Sequence, residues 1–237
     1  MAASIDQFEP SVPPHAEQAV FPDSSNREAQ YRRGIGIVAD ALAELGYPPS
    51  DDVRERWATM FARLSIADTI AEEDPAAFES GRKLVDFLGV PTTEATEAAA
   101  DRLLAANAAS IGAVTVEEHF VGRREEALAT VELLQALSGE LMEERDAWRS
   151  IGDLAVSGIY LDSLLDARQD AEALEAFTAW DLRTGAAKRL VSQARRSDPD
   201  VLRAMGTACH RNGLVGYLLS PNRLFRIAKG MIVTSKG

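Results

Sequence analysis

Apolar residues recur at helical spacing through almost the whole chain after residue 27. The segments between them are rich in alanine, leucine, glutamate and arginine, and alternating runs of β-branched residues are missing. The pattern therefore predicts an all-α protein with about 8–10 helices. The expected helices cover residues 28–45, 52–73, 76–88, 94–110, 116–137, 140–176, 178–196, 199–211 and 221–233.

Short connections containing proline or glycine separate these segments. Gly46 to Pro49 ends the first helix, and Pro199 opens a later one. Connections this short predict one bundle, and we expect its helices to surround a central apolar cavity. Residues 1–27 carry four prolines among small and acidic residues, which predicts a disordered or loosely attached leader before a helical domain over 28–237.

The long helix over 140–176 carries an apolar stripe that becomes acidic. Its apolar part consists of Trp148, Gly152, Ala155 and Ile159. The same face continues as Asp162, Asp166 and Asp170, which we call the aspartate ladder. Because residues four apart lie above one another on a helix, the ladder places like charges together, at a cost of roughly 0.2–0.5 kcal/mol per pair.

The second helix repeats this arrangement in the same direction. Its apolar positions are Trp57, Phe61 and Leu64, and the acidic continuation is Asp68 and Glu72. Carboxylates at the C-terminal end of a helix are opposed by its dipole. Two helices with this conflict predict either a cation site between them or two solvated acidic faces, and both interpretations stay open. A cation site of this kind suits Mg²⁺, which prefers carboxylates together with substrate phosphates.

Charge and composition limit the kinds of partner and environment that we expect for this chain. The net charge of −12 makes a nucleic-acid partner unexpected, because phosphate backbones need a basic patch. Cys209 is the single cysteine, which rules out an intramolecular disulfide and suits a reducing cytoplasm. No apolar run approaches the ~20 residues of a transmembrane helix, so we expect no transmembrane segment.

At its two acidic stripes the sequence resembles the class I terpenoid and isoprenoid synthases. The aspartate ladder is similar to that family's second metal-binding motif, including the Asp-x-x-x-Asp form of squalene and phytoene synthases, and residues 68–74 resemble its aspartate-rich first motif. The resemblance covers residues 57–74 and 155–170, and the chain is short for the family. It implies a helical bundle in which both motifs bind Mg²⁺ and the diphosphate of a prenyl substrate.

The resemblance also implies roles for individual residues. The metal ligands would be Asp68, Glu72, Asp162, Asp166 and Asp170. The diphosphate would be held by Arg211, Arg223, Arg226 and Lys229, since arginine suits phosphate oxygens. Trp57, Phe61, Leu64 and Ile159 would line the pocket, with Tyr160 as the catalytic candidate beside the second motif.

Two functions of different classes follow from these patterns. The first is a Mg²⁺-dependent terpene cyclase or prenyl synthase that ionises a prenyl diphosphate and then cyclises or couples the chain. The second is a non-enzymatic binding or regulatory protein that docks a basic partner through its acidic helix faces. The oligomeric state stays open, with a homodimer among the alternatives.

Overall fold

The computed structural model describes residues 24–74, 76–138 and 145–212, and within them it confirms the all-α class and the helical bundle. These residues form eight helices and no strand. The helices are α1 (Ser24–Glu44), α2 (Asp51–Glu73), α3 (Gly81–Leu88), α4 (Glu94–Ile111), α5 (Val116–Ser138), α6 (Arg145–Leu174), α7 (Ala179–Arg196) and α8 (Pro199–Arg211). The predicted helix over 221–233 lies outside the described residues.

Side-chain caps explain where several helices begin. The Ser50 hydroxyl accepts the backbone N–H of Val53 at the start of α2. Thr93 and Thr178 make reciprocal capping boxes at the starts of α4 and α7. Such caps satisfy N–H groups that have no partner within the helix, and each is worth about 1 kcal/mol.

Two predicted helix starts differ from those observed by more than one residue, and the start predicted at 140 lies outside the described residues. Helix α1 begins at Ser24, earlier than the expected 28. Helix α3 begins at Gly81 rather than 76, because the Ser80 hydroxyl accepts the N–H of Lys83 and caps the helix there. Its other end is as expected: Gly89 adopts the left-handed conformation (φ 71°) that commonly ends a helix.

Four groups of buried side chains hold the bundle together. The main core joins α1 to α5 and the beginning of α6, with Trp57 fully buried within it. A second cluster joins α5, α6 and α7 around Phe120, Tyr160 and Leu164. A third fixes α8 against α1 and α6. A fourth joins α6 and α7 around Phe177 and Leu182. The long helix α6 therefore contacts all four groups, consistent with its apolar stripe.

Helices α4 and α5 approach each other closely at Gly122. A Cβ atom added there would lie 2.8 Å from the backbone nitrogen of Ser110 and 2.9 Å from the carbonyl oxygen of Ala106. Glycine is therefore required for this packing, and we call the region around the crossing the corner of α4 and α5. Within the described ranges, no helix has the length and apolarity needed to cross a membrane.

Candidate functional site

The aspartate ladder lies on α6 next to an arginine of α5. Asp162 and Asp166 are exposed, and Asp170 is partly buried. Arg123 donates from Nη2 to Oδ2 of Asp162 over 3.2 Å. The ladder is thus beside a cation that the chain itself supplies.

Arg123 belongs to a hydrogen-bonded chain that joins three helices. Its Nη1 donates to Oε2 of Glu126 over 2.7 Å, and the Ser110 hydroxyl of α4 donates to Oε1 of Glu126 over 2.6 Å. Glu126 is only 7% exposed, and a buried carboxylate needs such partners because its lost hydration costs several kcal/mol. The chain from Ser110 through Glu126 and Arg123 to Asp162 therefore connects α4, α5 and α6.

Burial and mutual repulsion raise the pKa values of two ladder carboxyls, Asp162 and Asp170. Burial raises the pKa of Asp170 to about 6; Arg123 opposes this shift, and Asp162 and Asp166 add to it. Loss of hydration also raises the pKa of Asp162. Arg123 opposes this shift, and the negative charges of Asp166 and Glu126 add to it. Because 63% of the Asp162 side chain is exposed, water screens its shift, and the more buried Asp170 is the stronger indicator.

The apolar beginnings of the two sequence stripes meet in the main core. Trp57 donates from Nε1 to the carbonyl of Leu134 over 3.1 Å, and its ring lies edge-on to Trp148 at 6.4 Å between centroids. Phe61 and Leu64 pack against the same cluster. Asp68 is exposed on α2, and the Glu72 side chain is outside the described part of the chain.

Ile159 and Tyr160 belong to the second cluster. Tyr160 is 5% exposed and packs edge-on against Phe120, with 5.9 Å between the ring centroids. Burial raises the pKa of its hydroxyl, and the positive charges of Arg189, Arg124 and Arg196 partly oppose this shift. The four pocket candidates are thus divided between two clusters, with Trp57, Phe61 and Leu64 in one and Ile159 in the other.

Of the four basic candidates, the structure describes Arg211. Its guanidinium pairs with Glu44 of α1 over 2.5 Å, where α8 packs on α1. Arg223, Arg226 and Lys229 lie outside the described residues. In the ranges 24–74, 76–138 and 145–212, no group of three or more histidine, cysteine, aspartate or glutamate side chains is placed to hold a metal ion. The magnesium assignment stays a prediction.

A second feature of this corner is an open groove between α4 and α5, with a volume of about 560 Å³. We call it the α4–α5 groove. It is lined by Ala106, Ala109, Gly112, Ala113, Val114, Glu117, Glu118, Val121, Gly122 and Glu125. Ala106, Ala113 and Gly122 are buried and form its floor, whereas Val114 is 79% and Val121 54% exposed. Ile111, 58% exposed, precedes the lining residue Gly112, so large apolar groups meet water along this corner.

Three glutamates accompany these apolar residues. The Glu118 carboxylate accepts hydrogen bonds from the N–H groups of Val114 and Thr115, directly before α5 begins. Glu117 pairs with Arg189 of α7, and Glu125 pairs with its neighbour Arg124. The Glu117 carboxylate is largely exposed and that of Glu125 about half exposed. Exposed pairs contribute little, so either can exchange its cation for that of a partner.

No protein family, curated protein or solved structure matches this chain.

Sequence reasoning missed both Arg123 and the α4–α5 groove. Arg123 and Asp162 are 39 residues apart, and only the packing of α5 on α6 brings them together. The groove had a weak signal: Ile111, Val114 and Val121 are large apolar residues at the end of one helix and the beginning of the next. That signal alone does not separate core positions from exposed ones.

Proposed function

We propose that this protein is a helical binding protein that docks a basic amphipathic helix of a partner in its α4–α5 groove. The observation that carries this proposal is the combination of exposed apolar side chains with an acidic lining in one groove. Helix-in-groove recognition uses this combination, since the apolar face of the bound helix fills the groove and its charged flanks pair with the groove's edges.

Exposure and charge support the proposal independently. Val114 and Val121 border a groove floored by small residues, and an exposed apolar group of this kind commonly marks an interaction site. The net charge of −12 and the three lining glutamates select a cationic partner over an anionic one. The floor at Gly122 is rigid because α4 and α5 touch there.

The proposal can be tested with a designed peptide of about 16 residues, carrying leucines at helical i, i+3, i+4, i+7 spacing and lysines elsewhere. We expect it to bind the full chain in a fluorescence anisotropy titration, and binding should weaken as salt rises. Val121→Asp should weaken binding by about tenfold, which corresponds to roughly 1.4 kcal/mol.

Leu202→Asp is the matched control, because Leu202 is an exposed apolar residue of α8 that does not line the groove. It should leave peptide affinity unchanged. A second peptide with glutamate in place of every lysine keeps the apolar face and should not bind. Equal binding of both peptides, or equal effects of the two substitutions, would contradict the proposal.

A magnesium-dependent reaction on a prenyl diphosphate is the second candidate function. It is favoured by the pKa of Asp170, because three carboxylates that repel one another on one helix face are stabilised by a bound cation. In this hypothesis Asp68, Glu72 and the ladder bind Mg²⁺, Arg211, Arg223, Arg226 and Lys229 hold the diphosphate, and Tyr160 faces the reacting chain.

The test is diphosphate release from farnesyl diphosphate with and without Mg²⁺, together with the melting temperature. The hypothesis expects Mg²⁺ and substrate to raise the melting temperature of the wild type and to do so less for Asp170→Asn. No diphosphate release and no Mg²⁺-dependent change in melting temperature would exclude farnesyl diphosphate as a substrate and leave the ladder a charged surface.

A further inference from the structure

We infer that the α4–α5 groove is occupied, in the absence of a partner, by the C-terminal segment of the same chain, residues 213–237. The inference rests on the proposed docking function and adds a form of regulation to it, since a partner helix would have to displace the segment.

The first support is charge complementarity. Residues 213–237 contain Arg223, Arg226, Lys229 and Lys236 and no acidic residue, in a chain whose net charge is −12. The groove is lined by Glu117, Glu118 and Glu125. A basic apolar segment therefore belongs to the same molecule as an acidic apolar groove.

The second support is the pattern within the segment. In the helix predicted over 221–233, Leu224, Ala228 and Met231 fall on one face, at the i, i+4, i+7 spacing that fits a groove. Arg223, Arg226 and Lys229 fall on the flanks and the opposite face. Arginine and lysine side chains are long enough to reach around a helix towards carboxylates at the edge of a groove.

The third support is reach. The described chain ends at Asn212, whose side-chain amide donates to Asp40 of α1 and so fixes the point of departure. From there, residues 213–220 can span up to about 27 Å when extended, and a helix over 221–233 adds about 20 Å. The longest helix of the bundle, α6, has 30 residues and is about 45 Å long, so the segment can follow the bundle along its length.

Carbodiimide crosslinking of the full-length protein tests this inference, because it joins a lysine amine to a carboxylate only when the two are in contact. Lys229 and Lys236 are the only lysines of the segment, and the rest of the chain has Lys83 and Lys188. We expect mass spectrometry to find Lys229 or Lys236 joined to Glu117, Glu118 or Glu125 in the monomer. The Lys83–Glu79 pair, 2.8 Å apart, is an internal positive control.

Three variants sharpen the result. Val121→Asp should reduce the segment-to-groove crosslinks about tenfold, whereas Leu202→Asp should not change them, and neither should affect the Lys83–Glu79 product. The combined charge reversal Arg223→Glu, Arg226→Glu, Lys229→Glu should free the groove, so that the designed lysine peptide binds about tenfold more tightly than it does to the wild type.

Each remaining outcome overturns the inference. Formation of the Lys83–Glu79 product without a segment-to-groove product excludes docking of the segment. Segment-to-groove products found only in a crosslinked dimer, and lost on dilution, assign the groove to a second copy instead. Binding of the lysine peptide with equal affinity to the wild type and the charge-reversed chain would remove this regulation while leaving the docking function intact. Failure of that peptide to bind either chain would instead contradict the docking function.

Discussion

At the scale of single residues, alanine at two different glycine positions should change the free energy of unfolding in opposite directions. Gly122→Ala should lower the free energy of unfolding by about 1–3 kcal/mol, because its Cβ would press on the backbone of Ser110 and force α4 away from α5. Gly158 of α6 is exposed and has no atom within 4 Å of an added Cβ. Gly158→Ala should therefore raise it by about 0.5–1 kcal/mol, as helix propensity alone dictates.

Urea unfolding of both variants checks this pair, with each compared to the wild type at one pH. A change of the same sign in both would contradict the argument, because propensity would then outweigh the contact at Gly122, or some unseen contact would oppose alanine at Gly158.

Asp170 makes the stability depend on pH. With its pKa raised to about 6, Asp170 binds a proton more tightly in the folded than in the unfolded state. The contribution of Asp170 to the free energy of unfolding therefore falls as pH rises from about 4 to about 6, and its full cost is present above that range. Asp170→Asn should remove this cost, so that it stabilises the protein by about 1 kcal/mol at pH 8, after allowance for solvent screening, and hardly at all at pH 4.

Urea unfolding at both pH values measures the effect. Glu172→Gln is the control, since it removes another carboxylate of α6 that lies in an exposed pair with Arg168 and should have a small effect at either pH. Stabilisation of Asp170→Asn that is equal at pH 4 and pH 8 would show that the charge of the carboxylate is not its cause.

At the scale of helices, local chemistry made most of the fold predictable. Thr93 and Pro199 specify the starts of α4 and α8 through their own side chains, and the predicted and observed starts agree at 94 and 199. The start of α3 was predicted five residues early, because the observed start depends on the Ser80 cap and on Asp101 of α4, whose carboxylate accepts the N–H of Gly81. Which helix packs against each face was less predictable. Arg123 of α5 lies beside the aspartate ladder of α6, although the two are distant in sequence.

The junction of α4, α5 and α6 should respond strongly to the loss of Glu126. Glu126→Ala leaves the mostly buried Arg123 without its main counter-charge and leaves the Ser110 hydroxyl only the carbonyl oxygen of Asn107 as an acceptor, so we expect a loss of about 3 kcal/mol in the free energy of unfolding. Adding Arg123→Ala should cost less than the sum of the single changes, because the uncompensated cation is removed with it.

The exposed neighbouring pair provides the matched control for this cycle. Arg124 and Glu125 are both about half exposed, so replacing either with alanine should change the free energy of unfolding by less than about 1 kcal/mol. A purely additive cycle at Arg123 and Glu126 would mean that the two side chains contribute independently and do not form a connected network.

At the scale of the whole molecule, a groove is a property of packing that no single helix encodes. Val114 and Val121 are apolar residues of the kind found in cores, yet both are exposed beside the contact that α4 and α5 make at Gly122. The excess of acidic residues, in contrast, follows directly from the sequence. It constrains both the charge of a partner and the stability of the bundle.

The net charge of −12 predicts that salt stabilises this protein at neutral pH. Repulsion among the excess carboxylates opposes the compact state, and salt screens that repulsion. Raising sodium chloride from low to moderate concentration at pH 7.5 should increase the melting temperature by about 3 °C for each kcal/mol gained. At pH 5, close to the isoelectric point of 4.8, the net repulsion is nearly gone and salt only weakens attractive pairs such as Arg32–Glu55, so the melting temperature should stay constant or fall. An equal rise at both pH values would assign the effect to the general action of salt on apolar surface rather than to the charge of the chain.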